Sequence, residues 1–186
     1  MKYGFLICGP SGIGKSSNVE KMIENAGLNI KDFLIIDPDL LKKGTHTQQS
    51  AQALENVYLA IMNNQSFIYI ATCGGTKIIM DILFQLKTKK FKSIIAIIYT
   101  SLPTSLKRIS QRSEQPVPED AVKDLHQFFN KKAERFMTLP NIDQIYLFNN
   151  ETNFNLLLSR KSKKILCSSS SSNDNNEFYF DISKYC

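Results

Sequence analysis

Five short apolar stretches alternate with helical patterns along the chain. The stretches are short enough for buried strands, and they cover residues 3–8, 32–37, 67–71, 92–99 and 144–148. Apolar residues recur at helical spacing in the intervening segments, at residues 14–23, 51–62, 76–86, around 106–109 and at 119–138. Strands that alternate with helices in this way predict βαβ units, and therefore a mostly parallel sheet with helices on both faces. The stretch at 92–99 is the most hydrophobic, so we expect it at the sheet centre.

The remaining segments predict turns, one further strand and a tail. Residues 44–50 are polar and predict a loop, and residues 156–158 predict an edge strand. Residues 167–176 are a low-complexity Ser/Asn run that lacks enough apolar area to order itself. We therefore expect one domain at residues 1–166 and a C-terminal tail at 167–186, in which the aromatic residues 178–180 have the chemistry to pack back onto the domain.

The clearest motif directly follows the first predicted strand. It fits G-x-x-x-x-G-K-[ST], and it consists of Gly9, Pro10, Ser11, Gly12, Ile13, Gly14, Lys15 and Ser16. With a strand before it and a helix after it, this loop predicts a nest of backbone N–H groups that binds phosphates. In such a P-loop the lysine reaches the β- and γ-phosphates and the serine hydroxyl ligates Mg²⁺. We therefore expect residues 9–17, up to Ser17, to bind ATP, with Lys15 as a catalytic group and Ser16 as the metal ligand.

Polar residues also follow the next predicted strands. Asp37 and Asp39 come after the second strand, and Thr72 and Cys73 come after the third. In open α/β sheets the ligand lies beyond the carboxyl ends of the strands, so these four residues are candidates for the acceptor side of the site. A carboxylate there can take a proton from a substrate hydroxyl or help to hold Mg²⁺. The alternative is an Asp-Pro-Asp turn that only caps the next helix.

Two arginines lie four residues apart on the helix after the central strand. Arg108 and Arg112 therefore share one helix face, and two prolines in residues 115–118 indicate a hinge just beyond them. We expect both arginines to neutralise phosphate charge. The alternative is a solvated basic helix face.

Composition bounds the class of protein. The 186 residues are 42% hydrophobic and carry a net charge of +6, which fits one folded domain. Lysines cluster at 87–92 and 160–164. Such clusters are typical either of nucleic-acid binding or of turns exposed to solvent, and both interpretations remain open. No apolar run is long enough to span a membrane, and the four scattered cysteines predict neither a zinc site nor disulfides. We therefore expect a cytoplasmic protein in reducing surroundings.

Three segments of the sequence together resemble a known branch of kinases. The segments GPSGIGKS, IIDPDLLKK and LKRISQRSEQPVPEDAV resemble the zeta-toxin-like branch of P-loop kinases, next to the polynucleotide-kinase-like proteins that are often described as AAA-type ATP-binding kinases. The resemblance covers about residues 1–150 and implies a three-layer αβα P-loop NTPase fold. It implies that Asp39 is the general base, that Asp37 and Lys42 bind substrate, and that Arg108 and Arg112 act on the phosphates.

The chain departs from this branch at the acceptor side. Zeta toxins usually carry Glu-Gly-Thr after the third strand, where this chain has Ala71, Thr72, Cys73 and Gly74 without the acid. The resemblance as a whole implies an ATP- and Mg²⁺-dependent kinase for a small hydroxyl compound such as a nucleotide, nucleoside or sugar nucleotide. A 5′-hydroxyl polynucleotide kinase and a non-catalytic ATP-binding regulatory module remain alternatives. The sequence does not predict the oligomeric state.

Overall fold

The protein forms a seven-stranded sheet between two helical layers. In the computed structural model, residues 1–41, 44–111, 117–168 and 178–186 are described. The strands are β1 (Tyr3–Cys8), β2 (Leu34–Ile36), β3 (Phe67–Ala71), β4 (Lys92–Tyr99), β5 (Gln144–Asn149), β6 (Asn155–Lys161) and β7 (Lys164–Cys167). The helices are α1 (Val19–Asn25), α2 (His46–Met62), α3 (Thr76–Thr88), α4 (Leu102–Ser110) and α5 (Glu119–Thr138).

The strand order is β2-β3-β1-β4-β5-β6-β7. The first five strands are parallel, and β6 and β7 extend the sheet in antiparallel pairing. As predicted, β4 occupies the central position. β1 pairs with β3 on one side and with β4 on the other, so the loop after β1 lies at a change of winding direction, where open sheets bind ligands.

Two apolar clusters lie on opposite faces of the sheet. Side chains from α2, α3 and α5 pack on the face that contains Leu6, and side chains from α1 pack on the face that contains Phe5 and Ile7. Adjacent residues of β1 point to opposite faces, and both faces are covered, which explains why this strand is apolar throughout. The predicted three-layer α/β/α fold with a mostly parallel sheet is confirmed.

Several element boundaries differ from the prediction. The predicted loop at 44–50 is wrong at 46–50, because Thr45 and Gln48 form a capping box that starts α2 at His46. The helix expected from residue 14 begins as α1 at Val19, after one 3₁₀ turn (Ser16–Asn18). The strand expected at 32–37 is only Leu34–Ile36, because Asn29 caps a 3₁₀ turn just before it.

The C-terminal region adds structure that the pattern underestimated. The predicted edge strand at 156–158 belongs to β6, which lies between β5 and β7, so β7 forms the edge. The aromatic residues at 178–180 pack back as expected: Tyr179 is 4% exposed, and its hydroxyl donates a hydrogen bond to the Ile98 carbonyl (3.0 Å).

The prediction that the cysteines form no disulfides is wrong. Cys8 bonds to Cys73, and Cys167 bonds to Cys186. Cys8 and Cys73 are 65 residues apart in sequence, but the carboxyl ends of β1 and β3 are neighbours in the parallel sheet, which brings the two cysteines together. The cysteines therefore give no support to reducing surroundings, and a cytoplasmic location stays a prediction. Within the described ranges, no helix has both the length and the apolarity that crossing a bilayer requires.

Candidate functional site

The loop after β1 curls tightly against two other elements. Gly12 and Gly14 have φ values of +82° and +84°, which residues with a Cβ rarely adopt. A Cβ on Gly12 would lie 2.6 Å from the Ser105 carbonyl oxygen of α4, and a Cβ on Gly14 would lie 2.5 Å from the Asn150 side-chain nitrogen. Gly12 is therefore required by close packing against backbone as well as by its conformation, whereas at Gly14 a Cβ would be disfavoured by the backbone conformation and would displace the Asn150 side chain.

The remaining loop residues anchor the curl. Ile13 is fully buried among the apolar side chains next to α1, and its carbonyl accepts a hydrogen bond from the Asn150 side chain (2.7 Å). The Lys15 ammonium donates to the carbonyl oxygens of Gly9 (2.9 Å) and Pro10 (2.7 Å). This ammonium is held inside the concavity in which the motif predicts phosphate binding.

Asp37 connects the loop to the end of β2. Its Oδ2 accepts a hydrogen bond from the Ser16 hydroxyl (2.7 Å), although 21 residues separate the two in sequence. Its Oδ1 accepts a hydrogen bond from the backbone N–H of Asp39 (3.0 Å), so Asp37 also caps the short 3₁₀ turn Pro38–Leu40. The capping turn therefore exists, and the same carboxylate contacts the predicted metal-binding hydroxyl. Asp37 is only 6% exposed, whereas Asp39 is exposed.

A cavity of about 410 Å³ opens beside the loop. Residues of the loop form one end, with Lys15, Ser16 and Ser17 among them, and Asp37 and Asp39 line it next to them. The other end is formed by α2, the end of β3 and the start of α3. The loop and both acids therefore face a single space, and that space extends past the loop to residues of α2, β3 and α3.

The far end of the cavity is mostly apolar. Leu54, Tyr69 and Ile78 line it, together with the polar side chains of His46 and Thr72. Burial raises the pKa of the Tyr69 hydroxyl, which therefore stays neutral at physiological pH.

Cys73, which we expected to bind substrate, also lines this cavity, but its sulfur is bonded to Cys8. Cys8 comes immediately before the loop, so the disulfide joins the start of the loop to the cavity wall. The free thiol implied by the sequence is absent in this structure, and Cys73 contributes part of the wall.

Arg108 contacts the turn after β5 in this structure. Its guanidinium donates to the backbone carbonyls of Asn150 (2.9 Å) and Glu151 (3.2 Å) and to the Thr100 hydroxyl (3.3 Å), and it does not line the cavity. In this conformation Arg108 joins α4 to the turn between β5 and β6, and its role on phosphates stays a prediction. Arg112 and Lys42 lie outside the described residues.

The turn after β5 contributes residues that the sequence analysis missed. Besides the Asn150 contact with the loop, Glu151 accepts hydrogen bonds from the Ser101 backbone N–H (2.7 Å) and from the Ser101 and Thr104 hydroxyls. Burial alone would raise the pKa of Glu151, but these hydrogen bonds and nearby Arg108 lower it below its ordinary value. The sequence shows only a polar turn here, because each partner is about 50 or more residues away.

Comparisons with known proteins found matches in structure but none in sequence. No protein-family profile matches the sequence, and no curated protein matches it. Among solved structures, the AvrRxo1-ORF1:AvrRxo1-ORF2 complex with ATP contains a chain that matches with a TM-score of 0.63 and 16% identity, over 91% of this chain and 61% of that one. This chain thus spans about three fifths of the length of the AvrRxo1 chains that it matches.

Two further solved structures match a large part of the fold. The PezAT toxin–antitoxin system of Streptococcus pneumoniae gives a TM-score of 0.62 and 15% identity, over 83% of this chain and 69% of that one. A gluconokinase from Sinorhizobium meliloti 1021 gives 0.53 and 12%, over 81% and 83%. Sequence identities this low show that the fold is shared and show nothing about activity. The glycine-rich loop, the strand order and these matches together show that the chain has the three-layer α/β fold of P-loop kinases.

Proposed function

We propose that this protein is an ATP- and Mg²⁺-dependent kinase that transfers the γ-phosphoryl group of ATP to a hydroxyl of a small molecule. The observation that carries the proposal is the 2.7 Å contact between Ser16 and Asp37 at the edge of the cavity. It brings the hydroxyl of the nucleotide loop and the carboxylate of a neighbouring strand end together, beside space for an acceptor.

The loop residues and Asp39 have separate roles in this proposal. The backbone N–H groups of residues 9–17 bind the phosphates of ATP, and the Lys15 ammonium neutralises charge on the β- and γ-phosphates. Asp39 is exposed and lines the cavity, and in this proposal it takes the proton of an acceptor hydroxyl. The hydroxyl oxygen forms a bond to the γ-phosphorus, the bond from that phosphorus to the β–γ bridging oxygen breaks, and ADP leaves.

Ser16 and Asp37 are the residues that would hold Mg²⁺. Proteins bind this ion through one or two carboxylates, with substrate phosphates and waters completing the octahedron, and a hydroxyl beside a carboxylate fits that donor set. When bound, Mg²⁺ supplies positive charge to the oxygens of the phosphoryl group in transfer. The nearly buried Asp37 orients the Ser16 hydroxyl, whereas Asp39 remains available for the proton. Asp37, predicted from sequence to bind substrate, is thus reassigned to the metal side of the site.

The acceptor is assigned to the far end of the cavity, against Thr72 and the apolar side chains of α2 and α3. The structural similarity to a gluconokinase and to a complex solved with ATP supports an ATP-dependent kinase. The polynucleotide-kinase alternative receives less support, because the two lysine-rich segments lie at the opposite end of the sheet from the cavity. Lys92 pairs with the first residue of β1, and Lys161 pairs with the first residue of β5.

The test is transfer of label from γ-labelled ATP to a panel of nucleosides, sugars, sugar nucleotides and oligonucleotides. The wild-type protein is expected to label at least one small hydroxyl compound, and Lys15→Ala is expected to lose at least about a hundredfold in rate. Lys107→Ala removes an exposed lysine of α4 and is the matched control. ATP binding without transfer to any acceptor would replace the proposal with a regulatory nucleotide-binding module.

A further inference from the structure

The two lysine-rich segments of the sequence come together in the fold with the amino terminus. Backbone hydrogen bonds join Lys92 N–H to the Lys2 carbonyl (2.8 Å), Asp143 N–H to the Ser93 carbonyl (3.1 Å), and Ser162 N–H to the Asp143 carbonyl (2.9 Å). Residues 1–2, 87–92, 140–144 and 160–164 are therefore contiguous, at the end of the sheet where β1, β4 and β5 begin. We call this surface the basic edge.

The basic edge carries lysines almost without acids. Its seven exposed lysines are Lys2, Lys87, Lys89, Lys90, Lys161, Lys163 and Lys164, which is enough to account for the whole net charge of +6. The acid within its four segments is Asp143, and that carboxylate is already paired with Lys92 (3.0 Å). Protein surfaces usually intersperse charges of both signs, so such a set of like charges is costly without an anionic partner.

The shape and chemistry of the edge limit the partner. β1, β4, β5, β6 and β7 are consecutive neighbours, so the edge is about 19 Å wide at roughly 4.8 Å per strand spacing. Of the large apolar side chains in its segments, Phe91 is 5% exposed and Ile142 is 3% exposed, whereas Met1 is 84% exposed. The edge therefore offers charge over several phosphate spacings, and Met1 is its single exposed large apolar side chain among seven exposed lysines.

We propose that the basic edge binds the phosphate backbone of a nucleic acid, without sequence preference. Charge alone is sufficient for non-specific nucleic-acid binding, whereas stable membrane binding usually needs a second, lipid-inserting signal. The six residues of β1 separate this edge from the nucleotide loop by about 20 Å at 3.3 Å per residue. The surface is thus a docking site separate from the catalytic cavity, and the proposal does not depend on the proposed kinase activity.

The experiment measures binding of a labelled 20-nucleotide single-stranded RNA by fluorescence anisotropy, between 50 and 200 mM salt. We expect the logarithm of affinity to fall against the logarithm of salt with a slope of about −3, as for about four neutralised phosphates. The double variant Lys163→Glu with Lys164→Glu changes an exposed lysine of the turn between β6 and β7 and the exposed first residue of β7, and is expected to lose at least tenfold in affinity.

The matched control is Lys21→Glu with Lys107→Glu, which changes the net charge equally through exposed lysines of α1 and α4. It is expected to bind RNA within about threefold of wild type. Equal losses in both double variants would show a diffuse charge effect and overturn the proposal, as would absence of RNA binding at 50 mM salt. Binding to vesicles that contain anionic lipid, but not to RNA, would assign the edge to a membrane surface and also overturn it.

Discussion

Replacing Asp37 tests whether this carboxylate orients the metal-binding hydroxyl while Asp39 serves the chemistry. Asp37→Asn keeps an oxygen for the backbone N–H of Asp39, but puts an NH₂ group where Oδ2 accepts the Ser16 hydroxyl. A hydrogen bond to a charged group contributes about 1.5–3 kcal/mol, and water at exposed Ser16 replaces part of it. We therefore expect a loss of about 1–2 kcal/mol in the free energy of unfolding, which is roughly 2–8 °C in Tm for a chain of this size.

The effect on nucleotide binding should be larger than the effect on stability. Residues that orient a metal ligand contribute about 10- to 100-fold to metal affinity, so we expect Asp37→Asn to weaken binding of a non-hydrolysable ATP analogue by that factor when Mg²⁺ is present. Without Mg²⁺ the variant and the wild type should bind the analogue similarly. Calorimetric titration at several Mg²⁺ concentrations measures both quantities.

Asp39→Asn is the matched variant, since it removes the same charge two residues away and keeps the Ser16–Asp37 bond. It should bind the Mg²⁺–nucleotide complex normally and lose about 10²- to 10⁴-fold in kcat, as expected for a general base. Normal Mg²⁺-dependent binding by Asp37→Asn would refute the reasoning about Asp37. A loss of binding in Asp39→Asn equal to its loss in kcat would make Asp39 the metal ligand instead.

Three further predictions concern the framework of the site. Gly12→Ala puts a Cβ 2.6 Å from the Ser105 carbonyl oxygen at a φ of +82°. We therefore expect the free energy of unfolding, measured by chemical denaturation, to fall by about 2–4 kcal/mol, together with weaker ATP binding. Unchanged stability would contradict the described packing. Burial raises the pKa of Asp143, but hydrogen bonds from Ser93 and Lys92 outweigh it and leave the pKa below its ordinary value. This carboxylate therefore stabilises the fold above about pH 4 and loses that contribution as pH falls further, so Asp143→Asn should show a smaller stability decrease between pH 5 and pH 3 than wild type. Cys73→Ser removes a disulfide between residues 65 positions apart, so it should lower the free energy of unfolding by up to about 4 kcal/mol under oxidising conditions. Identical melting of variant and wild type without reductant would show that the bond does not form in solution.

Local sequence was sufficient for most of the fold. Helix α5 and strand β4 follow the predicted bounds, because long periodic or uninterrupted apolar runs leave few alternatives. Errors occurred where a few polar atoms decide the structure: the Thr45–Gln48 capping box extended α2, and the Asn29 cap shortened β2. Such caps involve one or two hydrogen bonds, which hydrophobic periodicity does not detect.

The candidate site likewise has a part that the sequence predicted and a part that only the tertiary structure brought together. The chain alone predicted the candidate nucleotide loop, because the glycines, the lysine and the serine of its motif lie within eight adjacent residues. Only the tertiary structure brought Ser16 to Asp37, Asn150 to the loop, Cys8 to Cys73, and the separate lysine segments to one edge. These contacts join residues between 19 and 137 positions apart, so they depend on strand order and register, which the spacing of apolar residues within one segment does not predict.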